Sequence, residues 1–295
     1  MLDEREILVR DTMKRFAQKT GLAAGSAAPE RYLWTDAFAV CNFLSLYRAT
    51  DDRHYLEMAT GLVDQVHEVL GRHRPDGQLQ RWLSSFSEEE GGAHPTAGGL
   101  RIGKFLPDRK PYEPADPQQE WDRDGQYFHY LTKWMHALRQ VAVVTGDDKY
   151  LRWACELALK AYRSFAMNDL DGKLAGFYWK MSIDLTYPVV ASMGHHDPLD
   201  GFITFLELDA ASQQFQVPLP ECGLHEEIGA LEELCKGKDW RTDDPLGIGG
   251  LLFDACRLHQ LEQNEQTSSG AVLPKDLLEA AHQGIGHFVS SGVLQ

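Results

Sequence analysis

An alternation between two kinds of helical pattern constrains this chain more than any other feature. "AFAVCNFLSLY" (37–47), "GFITFLEL" (201–208) and "GIGGLLFDACRL" (247–258) are apolar almost all round, which requires burial on both sides. "DRHYLEMATGLVDQVHEVL" (52–70) and "DKYLRWACELALKAYRSF" (148–165) instead carry charge along one face. Read for period, the chain predicts helices over 2–19, 35–49, 52–70, 125–145, 148–166, 199–213, 223–236, 246–262 and 275–290. Only "GFYWKMS" (176–182) and 99–105 read as strand. The expected class is all-α with minor β pieces in loops.

Weak internal repeats follow the same alternation. "TDDRHYLEMA" (50–59) and "TGDDKYLRWA" (145–154) share Thr, Asp, Tyr, Leu and Ala, and each joins a buried helix to an amphipathic one. "DPLDG" (197–201) returns as "DPLGI" (244–248), where Asp suits a helix cap and Pro its first turn. Repeats of this length mean an α-solenoid or a closed ring of hairpins. Helices apolar all round favour the ring, as does the Gly- and Pro-rich insertion over 71–124, which breaks the uniform linkers of a solenoid.

The alternation, the "TGDxxYL"-type turn and the aromatic "RYLWTDAF" (31–38) resemble the six-hairpin glycosidase-like superfamily of α/α toroids. N-acylglucosamine epimerases and unsaturated-glucuronyl hydrolases belong to that group. The likeness covers most of the chain. It implies a single (α/α) toroid domain over 1–295. The nine helices read from the period fall short of the twelve of a full six-hairpin ring, so an incomplete ring is expected, and the length and glycines of the 71–124 insertion read as a lid. The likeness also implies a carbohydrate as substrate.

Charge and composition narrow the partners. Acidic residues outnumber basic ones, 44 to 29, and the formal charge of −15 argues against nucleic acid and anionic membranes. No apolar run approaches the roughly 20 residues of a membrane span. "MLDEREILVRDTMKRF" lacks the basic start and apolar core of a secretory signal. Cys41, Cys155, Cys222, Cys235 and Cys256 are odd in number, scattered and mostly within apolar patterns, so buried free thiols in the cytoplasm are expected. A small molecule or oligosaccharide is the expected partner.

The candidate chemistry lies where buried helices begin. In a ring of hairpins the loops leading into the inner helices emerge at one end. "RYLWTDAF", "EWDRDGQYFHYLTKW" (120–134), "GHHDPLDGF" (194–202) and "RTDDPLG" (241–247) occupy such loops, so all four stretches are expected at one rim. Asp36, Asp197, Asp200 and Asp244 also suit plain helix caps. Glycoside cleavage needs two carboxyl groups of separated pKa, for which Asp122, Asp124, Asp197 and Asp200 are candidates, with Asp36 behind them. Epimerisation beside a carbonyl needs two bases, which His129, His195 and His196 would supply. His195 and His196 are expected to differ, one facing the cavity and one holding the loop. His129, Lys133 and His136 form a polar stripe at helical spacing. Tyr32, Trp34, Trp121, Tyr127 and Trp179 would stack on sugar faces. His94 and Arg101, with Lys104, lie in the glycine-rich part of the insertion and would point inward from the lid.

The expected function is therefore glycoside-hydrolase-like general acid/base catalysis. A sugar epimerase or isomerase, and a non-catalytic binding module, are the alternatives. A metal site at His195, His196, His94 and Asp197 has no supporting ligand spacing, so neither metal nor cofactor is expected. GxSxG and P-loop motifs are both absent from the sequence.

Overall fold

The computed structural model describes residues 4–23, 28–217, 224–264 and 270–290. Eleven helices lie among these residues: α1 (Glu4–Lys19), α2 (Leu33–Thr50), α3 (Arg53–Leu70), α4 (Glu88–Ala93), α5 (Pro117–Glu120), α6 (Phe128–Thr145), α7 (Lys149–Phe165), α8 (Asp197–Phe215), α9 (His225–Cys235), α10 (Pro245–Gln263) and α11 (Pro274–Ser290). The strands are short: β1 (Gln126–Tyr127), β2 (Ala166–Asn168), β3 (Leu174–Phe177), β4 (Lys180–Met181) and β5 (Pro188–Val190). The protein is all-α with minor antiparallel β pieces. Each expected helix has its counterpart, and α4 and α5 are additional one-turn helices inside the insertion. Leu2, Asp3 and Gly223, at the starts of two expected helices, and Cys222 lie outside the described residues. "GFYWKMS" divides between β3 and β4, but 99–105 forms no strand.

The chain divides into two compact units: unit 1 is Met1–Ser164 with Lys180–Ala191, and unit 2 is Phe165–Trp179 with Ser192–Gln295. In unit 1, α2 packs against α1, α3 and α6, and the order β1-β4-β5 makes a small sheet beside α6. Helix α6 earns its burial through Phe128, Leu131, Trp134, Met135, Leu138 and Val141, all fully enclosed. The two repeated turns are the same device. Asp51 (φ 57°) and Gly146 (φ 71°) take the left-handed conformation that ends α2 and α6. The preceding Thr50 and Thr145 hydroxyls accept from the amides of Asp52 and Asp147, both at 3.2 Å. Those aspartates then accept from His54 N at 3.0 Å and Lys149 N at 3.1 Å to start the next helix.

The insertion is scaffold over much of its length. Leu100, Ile102 and Thr96 are fully buried, and the Thr96 hydroxyl donates to Trp153 O in α7 at 2.9 Å. Backbone bonds run from Leu33 N to Ile102 O and from Ile102 N to Gly125 O. Gly99 sits at φ 78°, and a Cβ there would lie 2.1 Å from Gln126 Oε1, the atom that accepts from Leu100 N. Arg101, expected to point inward from a lid, is buried. It donates to Asp124 Oδ2 at 2.5 Å and to the carbonyls of Arg72 and Val69, both at 2.6 Å. A charged side chain buried this way holds chain segments together, because leaving any of its donors unpaired is costly.

Unit 2 is built on α8, which packs against α9, α10 and β3, with α11 against α10. Helix α8 is buried on nearly all sides. At its centre Arg257 of α10 meets three carboxylates. Its Nη1 is 3.1 Å from both Asp200 Oδ1 and Asp254 Oδ1. Its Nε and Nη2 reach Glu207 Oε2 at 3.0 and 2.6 Å, and Nη2 also reaches the Thr204 hydroxyl at 2.7 Å. Burial works against the guanidinium charge, yet Glu207, Asp254 and Asp200 raise its pKa further. Asp200 is thus an ion-pair partner in the helix interface and not a free acid.

The two "DPL" repeats differ. Asp244 caps α10 by accepting from Gly247 N at 2.7 Å, whereas the N-cap of α8 is His196 and Asp197 is already helical. Asp197 turns back to accept from Gly194 N at 3.2 Å. Of the cysteines described, Cys155 and Cys235 are buried, Cys41 is half-buried and Cys256 is exposed; all four are free thiols. No helix among the described residues is long and apolar enough to cross a membrane.

Candidate functional site

Helices α2 and α6 of unit 1 both begin on a tyrosine. Tyr32 and Tyr127 are extended N-cap residues with no side-chain capping bond, so each places a ring at a helix start where Ser or Asp would ordinarily satisfy amides. In α2 the duty passes to Asp36, whose Oδ2 accepts from Tyr32 N at 3.0 Å.

Five rings meet there. The Tyr32 and Tyr130 hydroxyls share a hydrogen bond at 2.5 Å, with their rings edge to face at 5.7 Å. Trp34 lies 5.0 Å from Tyr130 and 5.8 Å from His129, centroid to centroid. Tyr127 lies 5.1 Å from Tyr130 and 5.4 Å from His129, and His129 is 4.8 Å from Tyr130. Tyr127 and Tyr130 are buried, while Tyr32, Trp34 and His129 are half-buried and form the accessible edge. Lys104 adds a cation, its Nζ 5.2 Å from the Tyr32 ring and 5.5 Å from the ring of exposed Trp121. That ammonium has no carboxylate partner among the described residues.

Burial favours the uncharged forms of the enclosed acids. Burial, with Tyr32 next, pushes the phenols of Tyr127 and Tyr130 well above their ordinary range, so both hydroxyls stay protonated. Burial pushes the Asp36 carboxyl up to about 7, against the opposing pull of Arg31 at 3.8 Å and the Tyr32 amide. Behind the rings, fully buried Lys180 donates to Glu120 O at 2.9 Å, Arg123 O at 2.8 Å and Glu120 Oε1 at 3.3 Å. Its Nζ lies 5.5 Å from the Tyr127 ring. Burial lowers its pKa, with Glu120 pulling the other way.

The Asp36 shift makes a stability statement. A carboxyl whose folded pKa lies above its unfolded value favours the fold when protonated, and that contribution fades as pH rises from about 3.8 to about 7. Asp36→Asn cannot titrate. Its unfolding free energy, measured in urea from pH 4 to 8, is expected to gain on wild type by up to about 1.4 kcal/mol per pH unit below pH 7, then run parallel. A constant difference across the range would contradict a neutral Asp36.

Tyr32, Trp34, Tyr127 and His129 are therefore brought together, with Asp36 beneath them and Trp121 across Lys104. Other expected residues of unit 1 have different surroundings. Asp124 is fully buried and accepts from Arg101, from Arg74 at 3.4 Å and from the amides of Gly103 and Gly125, both at 3.0 Å. Those bonds fix it as the anchor of the insertion and leave no exposed oxygen for acid/base work. Asp122 is exposed, and Lys133 and His136 are buried in α6. His94 ends α4 with Nδ1 at 2.8 Å from Glu156 of α7.

In unit 2, "GHHDPLDG" and the stretch before α10 come together. His196 Nε2 lies 2.9 Å from Trp240 O, and a Cβ on Gly247 would meet both His196 and Thr242. His196 is half-buried, and burial holds its pKa down, while His195 is exposed with its ring tilted at 4.6 Å from it. The two histidines thus differ in surroundings, with His196 holding the loop.

No family model matches this sequence, and no curated protein matches it either. Tyr130, which supplies the second hydroxyl, and Lys180 were the residues that periodicity concealed. A lone Lys in the apolar run "FYWKM" was the available signal for the second.

Proposed function

We propose that the protein is a carbohydrate-active enzyme that holds a sugar against the aromatic cluster of unit 1. The observation that carries this reading is the convergence of Tyr32, Trp34, Tyr127, His129 and Tyr130 at two helix starts, with the hydrogen-bonded Tyr32–Tyr130 hydroxyl pair among them. Aromatic faces match the CH-rich faces of sugars, and neutral hydroxyls exchange hydrogen bonds with theirs. Lys104 favours an oxygen-rich ligand. The likeness of "RYLWTDAF" and the hairpin turns to the six-hairpin α/α toroids points the same way.

Proton transfer of the epimerase or isomerase kind has better support in unit 1 than glycoside hydrolysis. Asp36 and Asp124 are enclosed, and Glu120 is tied to Lys180 and Arg109, so these three carboxyl groups of unit 1 do not form an open pair at the rings. Half-buried His129 belongs to the accessible edge of the cluster, and an imidazole suits proton abstraction near neutral pH. The same enclosure of carboxylates favours, as a second reading, a sugar-binding protein without catalysis.

Titrating a panel of neutral monosaccharides and disaccharides while following tryptophan fluorescence tests both. At least one sugar is expected to bind, with Trp34→Ala and Tyr130→Phe each weakening it by about tenfold or more. His129→Gln should retain binding and lose turnover. Turnover unaffected by His129→Gln would place catalysis elsewhere, and a panel without a single binder would end the carbohydrate reading.

A further inference from the structure

A buried pair of opposite charges beneath the aromatic cluster stands open. Arg31 Nη1 and Asp36 Oδ1 lie 3.8 Å apart, with side chains 0% and 1% exposed. Neither atom has a hydrogen-bond partner among the described residues. Two facing polar atoms left unpaired out of water are costly, and a charge-assisted bond of about 2.7–2.9 Å would satisfy both. Closing the gap takes a movement of about 1 Å.

The surroundings decide what that movement reaches. Arg31 donates through Nε to Glu30 O at 2.9 Å and through Nη2 to Thr20 O, just after α1. Its carbonyl lies against Gly103, where a Cβ would come within 2.1 Å of it. Leu33 N donates to Ile102 O at 3.0 Å. Tyr32 thus sits between two anchored neighbours, and its amide is held by the same carboxyl that faces Arg31. Its hydroxyl is the one bonded to Tyr130. A shift of the Asp36 carboxyl toward Arg31 is therefore felt at Tyr32.

Arg31 is the charged group that acts on Asp36. On α6 stand His129 and the protonated phenol of Tyr130. In the insertion, Lys104 lies over the Tyr32 ring, while Arg101 and Asp124 pair with each other. The buried titratable group of α3, His67, is held neutral by burial and accepts from Trp134 Nε1 at 3.1 Å. Among the described residues α1 adds no buried charge. Burial raises the Asp36 carboxyl to about 7, so the proton is lost in the neutral range and the attraction of Arg31 strengthens there.

We propose that Arg31 and Asp36 form a pH-operated latch beneath the aromatic cluster, open while Asp36 is protonated and closed when it ionises, and that closure draws Tyr32 away from Tyr130. The regulated site is that of the proposed function, but the test needs no sugar, so the two readings fail separately. Tryptophan fluorescence of the full chain without ligand is followed from pH 5 to pH 9. Trp34, 5.0 Å from Tyr130, reports the movement. His129→Gln serves as the background, because a titrating imidazole 5.8 Å from Trp34 would itself change the emission. A transition centred at about pH 7 is expected there, and adding either Asp36→Asn or Trp34→Phe should abolish it. Arg31→Gln removes the opposite charge, which makes the carboxyl harder to ionise. Its midpoint should rise by about one pH unit or more, and it decides the matter if Asp36→Asn fails to fold. A transition that survives Asp36→Asn, keeps its midpoint in Arg31→Gln, or is missing from the background protein would overturn the latch.

Discussion

Replacing Arg257 with Met is expected to destabilise unit 2 by about 3–5 kcal/mol, the range for removing one partner from a buried ion pair. The effect falls at the high end because one guanidinium faces Asp200, Glu207 and Asp254, each at most 6% exposed in its side chain. Met fills much of the volume but takes from three buried carboxyl groups the guanidinium they share. Their remedy is protonation, which raises their folded pKa above the unfolded value. The variant should therefore recover stability as pH falls through the carboxylate range, the stabilised form being the protonated one. Urea unfolding followed by circular dichroism at pH 5 and pH 8 measures this. Adding Glu207→Gln to Arg257→Met should restore part of the loss at pH 8. A loss that is small and independent of pH would show that the network is not charged as drawn.

The second large effect is expected at Arg101. Arg101→Met removes the partner of a fully buried Asp124 and the donors to the Arg72 and Val69 carbonyls. About 3–5 kcal/mol should be lost from unit 1. Arg74, at 3.4 Å from Asp124, offsets only part of this because its donors already serve Asp76 and two carbonyls. Deleting 96–104 is expected to unfold unit 1 outright, since Thr96, Leu100 and Ile102 are fully buried. A lid would behave otherwise, losing ligand affinity and keeping its melting temperature. Thermal melts of both variants separate the two cases.

Helix positions were legible because they rest on local information. The 3.6-residue period, the Thr-Asp turns and the proline after Asp244 each act within a few residues, and the structure repeats the same hydrogen bonds at Asp52 and Asp147. The gathering of Tyr32, Trp34, Tyr127 and His129 was legible in part, because all four sit where buried helices begin. Their fifth member was hidden, since Tyr130 reads as one more apolar position on α6.

The roles of charged residues were decided by tertiary structure alone. Asp124, Asp200 and Arg101 carry the residue types of an active site, yet each is committed to a partner distant in sequence: Asp124 to Arg101, and Asp200 to Arg257. A carboxylate exposed at a rim and one buried against a guanidinium have the same letter and the same local pattern. What separates them is desolvation and the position of an opposite charge, and both depend on how the helices pack. The insertion shows the same limit. Its glycines suggested mobility, whereas Gly99 is required because the backbone passes within contact of Gln126. This sequence by itself determined where helices form and which ends carry aromatic rings. Packing determined which charges are buried against a partner and hold the fold, and which stay exposed.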